Sequence, residues 1–74
     1  MDRKARAMLI LGLLNDAYGD VRNILYYLQD FTISHASMAK DMEEFGILEI
    51  IESARELESK IVKAMDKLKL VVYR

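Results

Sequence analysis

The sequence predicts an all-α protein: an antiparallel hairpin of two long helices that dimerises into a four-helix bundle. Three observations predict it. Proline is absent and glycine occurs only at 12, 19 and 46, so little interrupts a helix. From Ile47 to Val72 apolar residues recur at alternating spacings of 3 and 4 without a slip. The same rhythm runs through residues 7–31. That period gathers side chains into one stripe along a helix, and the stripe needs a helical partner.

At 74 residues the chain is a single helical domain, 1–74. The first helix is expected over about 3–31. Its seam holds Ala7, Leu14, Val21 and Leu28 at one heptad position, with Ile10, Ala17, Ile24 and Phe31 at the other. Gly12, Gly19 and Tyr26 fall on the opposite face. The seam passes both glycines without a phase shift, so the helix is read as continuous. A turn is expected over 32–37, where Thr32, Ser34 and Ser37 could each cap a new helix by accepting from its free amides. A short helix or kinked segment over 35–45 follows, with Asp41, Glu43 and Glu44 early, where the helix dipole favours anions. Its apolar residues Met38, Met42 and Phe45 point almost opposite to the next seam, so the phase changes at Gly46. The long helix, 47–72, carries Ile47, Ala54, Ile61 and Leu68 at one seam position and Ile50, Leu57, Ala64 and Val71 at the other.

Two helices cannot enclose a core, because each seam keeps an open flank. The chain also has apolar surface beyond its seams: Met8, Leu9, Leu11 and Leu13 make the first helix apolar on nearly all sides for two turns. Small domains lacking disulfides or metals commonly gain stability by oligomerising, and large apolar patches mark interfaces. The residues expected at the dimer or partner interface are Leu9, Leu11, Leu14, Val21, Leu25 and Leu28 on the first helix. On the second they are Ile47, Ile50, Ile51, Leu57, Ile61, Met65 and Leu68. Met38, Met42 and Phe45 form a second expected recognition patch. A compact three-helix monomer that uses 35–45 as its third helix is the competing architecture. Charge favours an antiparallel homodimer. Asp41–Glu58 holds seven acids and one base, and Lys60–Arg74 holds five bases and one acid, so antiparallel copies set opposite charges together.

No catalytic set is assembled in the sequence. His35, the lone histidine, lies near Ser34, Ser37 and Asp30, but no nucleophile-elbow sequence surrounds these serines, and turns favour such residues as caps. Asp16 with Asp20, and Glu49, Glu52 with Glu56, have helical spacing but lack the Glu-x-x-His pairs of a carboxylate-bridged site, so no metal and no other cofactor is expected. Cysteine is absent, and Asn and Gln number only three, the composition of a heat-tolerant protein in a reducing compartment. The basic stretch Asp2–Arg6 followed by apolar Ala7–Leu14 resembles the front of a signal peptide but has no small-x-small cleavage site after it. No apolar run approaches membrane-spanning length. A cytoplasmic location and no membrane partner are therefore expected. The expected function is that of a non-enzymatic adaptor or small regulator that binds another protein. The alternative is a nucleic-acid-binding regulator, with Arg3, Lys4, Arg6, Lys60, Lys63, Lys67 and Lys69 converging at the open end of the hairpin.

Overall fold

The computed structural model describes all 74 residues, Met1–Arg74. It is all-helical: α1 spans Arg3–Ser34, a 3₁₀ turn spans Ala36–Met38, α2 spans Ala39–Glu44 and α3 spans Ile47–Val72. Asp2 starts α1. Its backbone is extended and its Oδ1 accepts from the Ala5 amide at 2.7 Å, satisfying one of the free donors of the first turn. The helix then runs three residues past the expected end at 31. Thr32 lies inside it: its hydroxyl donates to the Leu28 carbonyl at 2.7 Å, back along its own helix, instead of capping a new one. Neither Ser34 nor Ser37 makes a side-chain cap bond, so the turn begins at His35 and tightens at once into 3₁₀ geometry.

Gly46 separates α2 from α3. Its φ of 77° is left-handed, a conformation that costs an L side chain ~1–2 kcal/mol and glycine almost nothing. The Gly46 amide donates to Glu43 O, while its carbonyl accepts from the Ile50 amide, each at 3.2 Å. One residue therefore closes α2 and opens α3, which is why the apolar phase changes there.

α3 lies along α1 in the opposite direction. Arg22 Nη1 meets Glu58 Oε2 at 2.9 Å, so residues level with each other have numbers adding to about 80. Ala7, Leu11, Val21 and Leu25 of α1 form one cluster with Ile51, Ile61, Met65 and Val72 of α3, edged by Leu14, Ala17, Tyr18, Leu28, Ile47, Ala54, Leu68 and Val71. With Ala7 and Ile47 taken as heptad position a, the buried rows are a and e, where the expected seam was a and d. Both pairs of rows have 3/4 spacing. The e row is the bulkier in α1, with Leu11, Tyr18 and Leu25 against Ile10, Ala17 and Ile24, and it is the one that closes.

The core is thin. Nine residues are buried, and none is below 2 % exposure. The chain exposes 5920 Å², where a compact monomer of its mass exposes about 4,700 Å². Its radius of gyration is 16.5 Å against about 11 Å for a compact domain of this length. No helix is long and apolar enough to cross a membrane. The glycines of α1 offer a direct gain in stability. A Cβ at Gly12 or Gly19 would meet nothing within 4 Å, and neither position has a positive φ. Gly12→Ala and Gly19→Ala are each expected to stabilise by ~1 kcal/mol, raising the circular-dichroism melting point by roughly 4–8 °C.

Candidate protein interaction face

The rows left over define the site. In a right-handed helix, position e lies about 40° to one side of a, and position d about 60° to the other. Because α1 and α3 run oppositely and both spend e on each other, their d rows emerge on one common side, the front. Ile10, Ala17, Ile24 and Phe31 stand there on α1, and Ile50, Leu57, Ala64 and Val71 on α3. All eight are apolar. The five large ones from Ile10 to Leu57 are 43–49 % exposed, half covered by their own pair and half open. Leu13 and Tyr27, at position g, widen the stripe at 66 % and 72 % exposure.

Lining residues at the grooves bear out the assignment of sides. A groove at the open end is lined by Arg3, Lys67, Leu70, Val71 and Arg74, so a d position of α1 shares the front with d and g positions of α3. The back is different in character. Gln29, Thr32, Ile33, Leu48, Ile51, Glu52 and Arg55 line one groove there, and Tyr18, Val62, Met65, Asp66 and Lys69 line another. The Arg22–Glu58 ion pair also lies on that side, where its hydrogen bond and then its charge raise the guanidinium above its ordinary pKa. The back mixes apolar and charged residues along its length, whereas the front carries an apolar stripe about 32 Å long on a 53 Å molecule, bounded at the open end by Arg3, Lys67 and Arg74.

The chain is 54 % identical over 71 residues to an uncharacterized protein of Archaeoglobus fulgidus, an alignment covering 96 % of this chain and 93 % of that protein. The two belong to one family. No family model and no solved structure matches the chain. With that coverage, the unit shared within the family includes both long helices and the turn between them.

Most of the residues expected at an interface lie inside the helix pair. Leu11, Val21, Leu25, Ile51, Ile61 and Met65 are buried, and Leu14, Leu28, Ile47 and Leu68 are half-buried against them. Leu9, Ile50 and Leu57 face outward. The rows that do face outward on the front, Ile10, Ile24 and Phe31, belong to the d row that sequence reading placed within the seam. The second patch is also rearranged. Met42 is buried at 4 %, turned inward by the short α2, which leaves Met38 and Phe45 exposed without it.

The basic residues are exposed but do not share one face. Arg3 and Lys67 line the front groove, with Arg6 and Lys60 on the g rows beside it. Lys69 lines the back, and Lys63 sits on the outer flank of α3. His35 stacks on Phe31, with ring centroids 4.2 Å apart, and its Nδ1 lies 3.2 Å from the Phe31 carbonyl oxygen, to which an Nδ1–H would donate. No hydrogen bond joins it to Ser34, Ser37 or Asp30. The ring closes the end of α1 and lengthens the apolar front through Phe31.

Proposed function

We propose that this chain is a non-enzymatic adaptor or small regulator whose working unit is a helical hairpin, two of which bury their front faces to make a four-helix bundle. The observation that carries the reading is the front face itself: four successive d positions on each long helix, all apolar, with Ile10, Ile24, Phe31, Ile50 and Leu57 about half exposed. Contiguous apolar surface of that extent is unusual on a soluble monomer and marks an interface. The excess exposure of the isolated chain points the same way, since burying one face removes much of it. In the bundle, the back and outer faces of each hairpin remain free for another protein.

Light scattering on the purified chain tests the first half of the reading. A mass of twice 8.6 kDa at both low and high salt is expected, because apolar burial and not surface ion pairing holds the bundle. A monomer at every concentration would sink it. The non-enzymatic half falls if turnover is found that Ser34→Ala or His35→Ala abolishes.

A second reading, a nucleic-acid-binding regulator, draws on the shared groove of Arg3, Lys67 and Arg74. Against it stand the pI of about 5.7 and the division of the remaining bases between faces. Gel shifts at low salt decide it, since phosphate-driven binding is strongest there.

A further inference from the structure

We infer that the occupant of the front face is a second copy of this chain, related by a two-fold axis that crosses the helix pair at mid-length, so that α1 packs antiparallel on α1 and α3 on α3. This rests on the bundle reading above and fixes its geometry.

Area comes first. The molecule measures 53 × 17 × 15 Å, and its apolar front rows, Ile10–Phe31 and Ile50–Val71, run about 32 Å of that length, so one apolar stripe outlines about 540 Å² and two facing stripes about 1,100 Å². Stable protein interfaces bury about 1,200–2,000 Å² in total. Two facing stripes thus come close to the low end of that range, and one copy of the chain has a face of matching length and width to cover the other.

Self-complementarity comes next. A crosswise two-fold axis must sit at one height for both helices. The α1 row is centred between Ala17 and Ile24, and the α3 row between Leu57 and Ala64. The register set by Arg22 and Glu58 puts those two centres within about one residue, ~1.5 Å, of the same level. Around that axis Ala17 meets the partner's Ile24, and Leu57 meets the partner's Ala64. Large faces small in both layers, the condition for interdigitation. An axis running lengthwise would instead set Ala17 over the partner's Ala64 and Ile24 over the partner's Leu57, leaving a gap beside a crowded layer.

Charge selects the same arrangement. The half of the pair at the open end, residues 1–20 with 60–74, holds eight bases and four acids, net +4. Residues 21–59 hold three bases and eight acids, net −5. Packed helices lie 8–10 Å apart, about one Debye length at physiological salt, so the halves still feel each other. The crosswise axis sets +4 against −5 twice, and the lengthwise axis sets like against like at both ends. The crosswise axis does bring Asp20 near the partner's Asp20 and Lys60 near the partner's Lys60. Both pairs sit on exposed rims, where single ion contacts count for little.

Those rim positions supply the test, because the chain has no cysteine of its own. Asp20→Cys and Lys60→Cys, both on exposed sites, are treated separately with a short bismaleimide, and Arg55→Cys on the back serves as control. Each rim variant alone is expected to run mostly as a covalent dimer on a denaturing gel, and the control as a monomer. Cross-linking only in an equimolar mixture of the two rim variants would overturn the proposal in favour of the lengthwise axis. A dimeric mass with no rim cross-link would overturn it in favour of another face. A monomeric mass throughout would instead remove the bundle reading beneath it.

Discussion

Replacing Ile24 and Leu57 together by glutamate is expected to convert the proposed dimer to monomer. Both side chains are about half exposed in the single chain, so each glutamate can keep its carboxylate in water there, and the fold of the helix pair survives. In the bundle each lies in the middle of the buried face, and four carboxylates per dimer would lose water without a partner. At ~2 kcal/mol for each of the four such central sites, the dissociation constant rises by roughly 10⁶-fold. Light scattering reads the halved mass. The circular-dichroism helix signal stays, and the melting point loses its dependence on protein concentration. Loss of helix together with loss of mass would place these residues in the core of a single chain.

Leu25→Ala has the opposite profile: it strikes the fold of each chain. Leu25 is the most buried residue, 3 % exposed, and sits in the cluster that joins α1 to α3. Truncating such a leucine removes transfer energy and leaves a cavity, together about 2–5 kcal/mol. A chain of this length is stable by roughly 4–11 kcal/mol, so the loss is a large fraction of the whole. A thermal melt should move down by more than ~10 °C. Leu9→Ala, on a side chain 63 % exposed, should move it hardly at all. The neighbouring pair Ile24 and Leu25 is thus expected to separate the proposed contact between copies, which Ile24 would hold, from the contact within each chain, where Leu25 is buried.

The helices were legible in the sequence because their evidence is local. Missing proline, sparse glycine and unbroken 3/4 spacing place α1 and α3 within a few residues of where they lie, and the phase change marks Gly46. The division of the apolar surface was not legible. Rows a and d, and rows a and e, have the same spacing, so periodicity cannot say which flank of Ala7 or Ile47 a neighbour will cover. The fold places Leu11, Leu25, Ile51 and Met65 inside and leaves Ile10, Ile24 and Phe31 out. Thr32 was misread for a similar reason. A hydroxyl that can cap the next helix can equally bond its own, and only the tertiary course of the chain decides. Met42 could not be placed either, since α2 is too short for its few apolar residues to define a face.

The unbroken heptads make this molecule modular in length. Because level residues have numbers adding to about 80, residues 14–20 of α1 lie opposite residues 60–66 of α3. Removing both segments takes out one repeat from each strand of the pair at the same height. Every remaining residue keeps its row, its side and its neighbour across the pair, and the rod shortens by about 10 Å. Removing either segment alone keeps the rows but shifts one helix past the other by that distance, so the open ends no longer coincide. Length in this fold is therefore set by the number of matched repeats and not by any feature at the ends.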